Sequence, residues 1–302
     1  MPASTENSTA NLRQRWCCSM AINQSALRII EDLLFSHTGQ QLTENRKWRV
    51  ESALSLVFEK YDVDSIEQFA TKLVTEKDPI LVQDTIDALV NNETYFYRDR
   101  PTFDQLPKEI LPELAERRKA SKSLNIWSAG CSTGQEAHSL AMEFADKPEK
   151  WRNWSISILG TDISHKAIAA AKRATFSQFD VQRGLGISQL LKHFAEVPTG
   201  WQLSAEIRTA TRFTTHNVIE AAPIRQKFDL ILCRNVLLYF DPATRAKAFE
   251  RLHDALKPDG FIMLGAGETV VGRTELFLPS GKRPSVFEPV PSKTLTDFAP
   301  AA

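Results

Sequence analysis

The chain has few of the residues that would mark it as an extracellular, metal-binding or membrane protein. It contains only four cysteines among 302 residues, and none of them stands at the spacing of a zinc site. Cys17 and Cys18 are adjacent, which argues against a disulfide framework and favours a reducing compartment. No stretch approaches the roughly 20 apolar residues of a membrane helix, and the polar N-terminus has no signal-peptide core. We therefore expect a cytoplasmic protein with no metal site and no direct membrane insertion.

The chain also lacks an excess of charge of either sign. Lys and Arg together number 37, as do Asp and Glu, so that the net charge is zero. This balance gives no indication of nucleic-acid binding. With 42% hydrophobic residues the chain can bury a full core, and its length predicts one large domain and a smaller one.

Two patterns of apolar residues divide the chain. Up to Val90 apolar residues recur at helical spacing, with Asp78-Pro79 as a start signal, which predicts a bundle of about four helices in a domain covering 22–92. Residues 93–120 are interpreted as a linker segment followed by a charged helix. From 121 to 290 strands alternate with helices, which predicts an α/β domain with a doubly wound, mostly parallel sheet.

The segment LNIWSAGCSTGQE, residues 124–136, is the strongest single indication of function. A strand pattern ends in a turn of small residues that includes Gly130 and Gly134, and a helical pattern follows. This order opens nucleotide-binding α/β folds, in which glycine allows a sharp turn and the close approach of a ligand. A tight turn without a ligand would give the same local pattern.

Polar residues at the ends of two later strands test this interpretation. Asp162 ends the strand ILGTD, where open α/β sheets bind ligands and where a carboxylate can accept ribose hydroxyls. Its alternative role is to cap the helix that begins near Ser164. The strand FDLILC similarly delivers Cys233, Arg234 and Asn235, followed by Tyr239, whose alternative is a core tyrosine.

Five segments together resemble the CheR family in order and near spacing. They are NNETYFYRD (91–99), WSAGCSTGQEAHSLA (127–141), GTDIS (160–164), VQRGL (181–185) and CRNVLLYFD (233–241). Members of this family are S-adenosylmethionine-dependent protein-glutamate O-methyltransferases of bacterial chemotaxis. The resemblance implies a Rossmann-like class I methyltransferase fold with a helical N-terminal domain and a small inserted β subdomain, here at about 197–216.

The resemblance also implies roles for matching residues. Arg98 and Tyr239 match the pair that flanks the transferred methyl group. Glu136 is expected at the methionine part of the cofactor, Asp162 at the ribose, and Asn217 with Val218 beside the adenine. The residues implied in the cofactor pocket are Asn92, Thr94, Arg98, Gly130, Glu136, Asp162, Asn217, Val218, Cys233, Arg234 and Asn235. We expect Tyr95, Phe96 and Tyr97 to serve ordinary packing.

The implied reaction converts S-adenosyl-L-methionine to S-adenosyl-L-homocysteine while methylating glutamates in the cytoplasmic signalling domain of a chemotaxis receptor. The chain departs from the family at Gln135, Ala137 and His138, where Glu-Glu-Pro-Tyr is common in the loop. A basic row expected on the second helix starts with Arg46, Lys47 and Arg49 but does not continue. Because the turn at Pro198 is short, we expect no tethering to a receptor's C-terminal tail.

Three other functions are compatible with the sequence to different degrees. The first is a CheR-like methyltransferase acting on a different protein or on a small molecule, which the incomplete basic row favours. The second is a non-catalytic module that retains the cofactor as a regulatory ligand, which the presence of Arg98 and Tyr239 disfavours. A dehydrogenase is disfavoured because the loop is not G-x-G-x-x-G.

Overall fold

The structure, a computed structural model, describes residues 24–281 and 283–291. The expectations about Cys17, Cys18 and the polar segment 1–21 lie outside the described residues. The chain divides into two compact units with the boundary between Val90 and Asn91, close to the limit at residue 92 expected from the sequence. No helix among the described residues has the length and apolar character needed to cross a bilayer.

The first unit is helical throughout its described part. Its helices are α1 (24–38), α2 (Glu44–Lys47), α3 (Val50–Lys60), α4 (Ile66–Glu76) and α5 (Pro79–Leu89). Ser65 caps α4 by accepting the N–H of Gln68, and Asp78 caps α5 by accepting the N–H of Ile80. The core of the unit is apolar because the helical periodicity places Ile30, Leu54 and similar residues on inward faces.

In the part of the second unit that the structure describes there are ten strands and the remaining helices. The strands are β1 (Ser123–Ala129), β2 (Ser155–Asp162), β3 (Thr175–Phe176), β4 (Phe194–Val197), β5 (Gly200–Leu203), β6 (Thr211–Thr215), β7 (Phe228–Cys233), β8 (Leu256–Leu264), β9 (Phe277–Pro279) and β10 (Val286–Pro289). The helices are α6 (Arg100–Phe103), α7 (Leu111–Arg117), α8 (Gln135–Ala145), α9 (Pro148–Trp151), α10 (His165–Arg173), α11 (Gln178–Gln182), α12 (Ile187–His193), α13 (Ala205–Thr209) and α14 (Pro242–Ala255). A π-helical turn, Leu106–Ile110, precedes α7, and a 3₁₀ turn, Leu237–Tyr239, follows β7.

Seven strands form one mostly parallel sheet in the order β6-β2-β1-β7-β8-β10-β9. The first five run parallel, and β10 is antiparallel to both β8 and β9. The predicted α/β fold with a doubly wound, mostly parallel sheet and a helical N-terminal region is confirmed. The strand β1 lies between β2 and β7, so that the order of the strands along the chain reverses at this point. A crevice opens there at the carboxyl ends of these strands.

The small antiparallel sheet differs in extent from the one expected at 197–216. It contains β3, β5 and β4, so it begins at Thr175 and ends at Leu203. The segment Thr211–Thr215 instead pairs in parallel with β2 and forms the edge of the main sheet. Its alternation explains this placement, because Thr211 and Phe213 are buried while Arg212, between them, is exposed.

Candidate active site

The turn after β1 brings the chain close to the end of β7. Gly130 has a φ of +76°, and a Cβ at this position would lie 2.3 Å from Cγ2 of Val236. Its N–H donates to the carbonyl of Thr161 at 2.7 Å, which fixes the turn against β2. Only glycine allows both the positive φ and the close approach to Val236. The turn therefore lies against the end of β7 and forms one wall of the crevice.

The carboxylate of Asp162 is buried at the tip of β2 and orders the same turn. One oxygen accepts the N–H of Ser132 at 2.8 Å, and the other accepts the N–H of Ser164 at 2.9 Å. Ser164, not Asp162, caps α10 by accepting the N–H of Ala167. The helix-capping alternative for Asp162 is therefore incomplete, because its carboxylate also binds the glycine turn across 30 residues.

Arg234 forms a buried ion cluster at the end of β7. Its Nη1 donates to Glu136 at 2.9 Å, and its Nη2 donates to the carbonyl of Arg98 at 2.6 Å and to Asp99 at 3.3 Å. The other oxygen of Glu136 accepts the hydroxyl of Ser128 at 2.7 Å. Arg234 thus connects α8 with the segment around Arg98, and we call Arg234, Glu136 and Asp99 the site cluster.

The segment that carries Arg98 has an unusual backbone. Tyr97 and Asp99, on either side of Arg98, have φ values of +53° and +54°, in the left-handed region that costs energy for residues other than glycine. The Tyr97 N–H donates to the Ser139 hydroxyl at 3.1 Å, which holds this conformation in place. Left-handed residues cluster at functional sites, so that the strain around Arg98 is an observation in favour of a role for it.

The same segment is attached to the glycine turn at its beginning. The Ser132 hydroxyl donates to the carbonyl of Asn92 at 2.7 Å, while Thr94 is half-buried two residues further on. Phe96 and Tyr97 are buried as expected for packing residues. Tyr95 differs from the expectation because it is half-buried and its ring lies 5.7 Å from the guanidinium of Arg98.

Tyr239 lies in the 3₁₀ turn that follows β7. It is half-buried, and its hydroxyl accepts a hydrogen bond from Nδ2 of Asn91 at 2.6 Å. The hydroxyl is thus bonded to the segment of Arg98, which the core-tyrosine alternative does not require. The structure therefore brings the two residues expected to flank the methyl group into one network, through a partner, Asn91, that sequence reasoning did not assign.

Glu268 is a further residue that sequence reasoning missed. Its carboxylate accepts the N–H groups of Asn235 at 2.7 Å, Val236 at 3.1 Å, Leu238 at 3.2 Å and Gly265 at 2.9 Å. These bonds hold the turn from Asn235, whose φ is +60°, to the 3₁₀ turn of Tyr239. The only sequence signal was its position just after β8, at the edge where the other site residues lie.

The remaining predicted residues are buried close to strand ends. Asn217 and Val218 are buried after β6, and Asn217 accepts the N–H of Ile219 at 3.3 Å. Cys131 and Cys233 carry free thiols, and burial raises the pKa of both, so that they remain protonated. They act as small apolar side chains in the two core clusters of the second unit.

Two polar atoms at the end of β7 are buried without a hydrogen-bond partner in the described part of the chain. They are Nε of Arg234, a donor, and Oδ1 of Asn235, an acceptor. Buried polar atoms are nearly always paired in folded proteins, so these two atoms are available to a polar ligand. An α-amino acid group fits them, because its carboxylate accepts from Arg234 and its ammonium donates to Asn235.

Comparison with known proteins agrees with this geometry. A family model described as CheR methyltransferase, SAM binding domain, matches residues 92–285. Chemotaxis protein methyltransferase 1 of Pseudomonas aeruginosa is 33% identical over 237 residues, covering 77% of this chain and 85% of that protein. A chemotaxis protein methyltransferase of Vibrio anguillarum is 30% identical over 262 residues, covering 86% of this chain and 94% of that protein.

Among solved structures, the glycopeptide N-methyltransferase MtfA complexed with S-adenosylmethionine has a TM-score of 0.32 and 15% identity, covering 56% of this chain and 60% of that one. The family model and the two relatives carry the assignment. The methionine part of S-adenosylmethionine is the amino acid group that the unpaired atoms of Arg234 and Asn235 fit. The chain belongs to the CheR methyltransferase family, and its cofactor is S-adenosylmethionine.

Proposed function

We propose that the protein transfers a methyl group from S-adenosylmethionine to glutamate side chains of a chemotaxis receptor, forming glutamate methyl esters, and that it acts in the cytoplasm. The names of the two relatives above support the chemotaxis role. The observation that carries the proposal is the network that joins Arg98 and Tyr239 to the cofactor wall. Arg234 binds the carbonyl of Arg98, Ser132 binds that of Asn92, and Asn91 binds the hydroxyl of Tyr239.

In this proposal the buried edge of the crevice holds the cofactor. Glu136, Arg234 and Asn235 surround its methionine part, and Asp162 binds its ribose. Asn217 and Val218 lie beside the adenine, with Cys233 against the methionine side. Asn92, Thr94 and Gly130 supply the close walls, because the first two belong to the segment bonded to Ser132 and the third has no side chain.

The chemistry requires positioning more than proton transfer. A glutamate carboxylate, with an ordinary pKa of about 4.3, is already ionised near neutrality. When bound, S-adenosylmethionine supplies a methyl group on a positively charged sulfur. The acceptor oxygen forms a bond to the methyl carbon as the carbon–sulfur bond breaks, leaving S-adenosylhomocysteine and requiring no base. Arg98 orients the carboxylate by charge-assisted hydrogen bonding, and Tyr239 packs or donates beside the methyl group.

The residues from Arg46 onward do not form the fully basic helix that is expected to face the acceptor. Arg46 donates to the carbonyl of Leu89, and Lys47 pairs with Glu31 at 2.9 Å and with Glu44 at 2.7 Å. These cations therefore have partners within the first unit. Trp48 and Leu56 are instead 78% and 75% exposed. This surface favours a second candidate, a methyltransferase of the same family whose acceptor is a different protein or a small molecule.

We further propose that no receptor tail is tethered to the small sheet. The strands β4 and β5 are joined by Pro198 and Thr199 alone, so the turn has no extension that could pair with a peptide. A pull-down with the C-terminal peptide of a receptor tests this point. Retention of the protein on that peptide would contradict it.

Labelling with methyl-labelled S-adenosylmethionine tests the proposed function. Purified protein is incubated with membranes that contain candidate receptors, and the product is treated with base. We expect label on the receptor that is released as volatile methanol, because carboxyl methyl esters are base-labile. Base-stable label, or label on other molecules, would replace the proposal with the second candidate.

A further inference from the structure

An arginine outside the predicted site lies beside the same aromatic ring as Arg98. The guanidinium of Arg183, at the end of α11, is 4.6 Å from the ring centroid of Tyr95, the ring that also lies 5.7 Å from Arg98. It lies 5.7 Å from the ring of Phe179 as well. One aromatic ring therefore stands beside two cations, in the segment that carries the residues proposed for methyl transfer.

The partner of Arg183 is a carboxylate of the same segment. Glu93 pairs with Arg183 at 3.1 Å, while its backbone carbonyl accepts the guanidinium of Arg98. Its N–H donates to Asn91, which in turn donates to the hydroxyl of Tyr239. The backbone of Glu93 is thus bonded to Arg98 and, through Asn91, to Tyr239, the two residues expected to flank the methyl group. Its side chain adds a carboxylate beside this network.

Arg183 is held firmly by its neighbours, whereas Glu93 is held only weakly. Arg183 stacks on two rings, and the backbone next to it is packed so closely that a Cβ on Gly184 would lie 1.8 Å from the carbonyl oxygen of Phe96. Glu93 is 53% exposed in its side chain and Arg183 37%. Exposed ion pairs contribute little to stability, so that exchanging Glu93 for another carboxylate costs little.

The surroundings suit an acidic peptide with an apolar side. A groove of about 540 Å³ lies between the segment Tyr95–Arg100 and Gly184–Gly186. On the helices before and after Gly184–Gly186, Phe179, Ile187 and Leu191 are 66%, 79% and 71% exposed. An amphipathic helix that carries carboxylates could place apolar residues against these side chains and its acidic residues towards the arginines.

We propose that Arg183 determines specificity by binding a second acidic side chain of the acceptor, next to the glutamate that is methylated. Glu93 occupies Arg183 in the free enzyme and is displaced when the acceptor binds. This inference rests on the proposed function, since it assumes an acceptor that presents carboxylates. It assigns Glu93 the role of an internal competitor.

Peptide binding tests the inference without requiring methyl transfer. Two fluorescein-labelled helical peptides, one with a single glutamate and one with a second glutamate on the same face, are titrated into full-length enzyme with S-adenosylhomocysteine, and anisotropy is measured. We expect the wild-type enzyme to bind the second peptide about tenfold more tightly. Arg183→Gln should remove this preference, and Arg183→Lys should retain part of it because the charge remains.

The sign of the Glu93 effect separates this role from a structural one. Glu93→Gln should tighten binding of the second peptide about two- to fivefold, and Arg183→Gln should abolish that gain in the double variant. The matched control is Arg152→Gln, an exposed arginine that precedes β2 at the opposite edge of the sheet. Thermal unfolding of each variant verifies that it is folded.

The inference is overturned if Arg183→Gln keeps the preference, if Arg152→Gln loses it equally, or if Glu93→Gln weakens binding. The methylation assay gives a second reading with the receptor fragment that accepts base-labile label. There Arg183→Gln should raise KM about tenfold with a smaller effect on kcat. If no fragment accepts such label, the proposed function fails, while the peptide titration still decides the role of Arg183.

Discussion

Two arginines, half-buried Arg118 and buried Arg234, bind pairs of carboxylates at opposite ends of the strands of the main sheet. At the amino edge, Arg118 donates to Asp229 at 2.5 Å and to Asp259 through two nitrogens at 2.6 and 2.5 Å. Asp229 is fully buried and also accepts from Lys257 at 2.9 Å and from the N–H of Asn125 at 2.8 Å. We call these residues the foundation cluster, because they join the starts of β1, β7 and β8.

At the carboxyl ends of the strands, the site cluster also contains an arginine and two carboxylates, but not all of its buried polar atoms are paired. Arg234 binds Glu136 and Asp99, yet its Nε and the nearby Oδ1 of Asn235 lack partners in the described part of the chain. Left-handed residues adjoin both clusters: Tyr97 and Asp99 lie beside the site cluster, and Lys122, whose N–H donates to the carbonyl of Arg118, lies beside the foundation cluster with a φ of +46°. A buried ion cluster or a left-handed residue alone therefore does not distinguish the two ends of the sheet. The unpaired atoms of Arg234 and Asn235 do.

The largest expected effect separates the two clusters by stability. Arg118→Met should lower the free energy of unfolding by about 3–5 kcal/mol, because it leaves Asp229 buried with less charge compensation. Affinity of the folded variant for S-adenosylhomocysteine should be unchanged, since the cluster lies at the other edge. Urea unfolding and calorimetric titration measure the two quantities, with Arg152→Met as an exposed control. A loss of affinity in the folded variant would break the comparison.

As the pH falls, the protein should lose stability through His138, on the site side, before it loses stability through the foundation cluster. Burial lowers the pKa of His138, on α8, to about 4, while hydrogen bonding to Arg118 lowers the pKa of Asp259 below its ordinary value. Between pH 6.5 and about 4 the unfolded chain binds a proton at His138 that the folded chain does not. Stability should therefore fall by up to about 3 kcal/mol as the pH falls through this window.

Replacing His138 tests that assignment. His138→Tyr restores the residue common in the family and removes the titration, so that its unfolding free energy should vary less between pH 6.5 and 4. Urea unfolding at a series of pH values measures this. The assignment is wrong if wild type and variant lose stability in parallel.

Within the site, chemistry can be separated from cofactor binding. Arg98→Ala should lower kcat about a hundredfold because the acceptor carboxylate loses its orienting cation, while the affinity for S-adenosylhomocysteine stays near that of wild type. The carbonyl of residue 98 still accepts from Arg234 in this variant. Methyl-transfer kinetics and cofactor titration are the measurements, with exposed Arg173→Ala as the control. Wild-type rates with normal cofactor binding would refute the role of Arg98.

The smallest of the four effects concerns Arg234 itself. Arg234→Met should weaken S-adenosylhomocysteine binding about thirtyfold, because the group proposed to bind its carboxylate is lost. It should also lower the unfolding free energy, because Glu136 and Asp99, whose side chains are 12% and 28% exposed, lose their cation. Calorimetric titration and urea unfolding of both variants give the comparison directly. Equal cofactor affinities in wild type and Arg234→Met would show that the unpaired Nε does not face the ligand.

The sequence predicted the parts of the candidate site that depend on local pattern, and the structure places them at one end of the sheet. The glycine turn, Asp162 at the tip of β2 and the polar residues after β7 each follow a recognisable strand, and parallel strands bring their ends together. The edge strand Thr211–Thr215 was misplaced because a short alternating segment fits either sheet.

The residues that the sequence did not reveal were missed for a different reason. Glu268 binds the turn after β7, and Arg118 binds Asp229, through side chains whose partners are distant in sequence. Nothing in the local pattern around a glutamate or an arginine shows which backbone N–H or carboxylate it meets in the fold. Such residues become visible only when the sheet order places their elements side by side.

Gly184 sets the width of the groove beside Arg183 by the atom that it lacks. Any L side chain there would meet the carbonyl oxygen of Phe96 and push it away, since the Cβ would lie at 1.8 Å. Tyr95 and Tyr97 flank that carbonyl, so the wall of the groove that they form would move with it. Gly184 itself lies in the opposite wall, so a single methyl group at this position changes the spacing between the two walls and offers a way to alter acceptor choice without touching a charged residue.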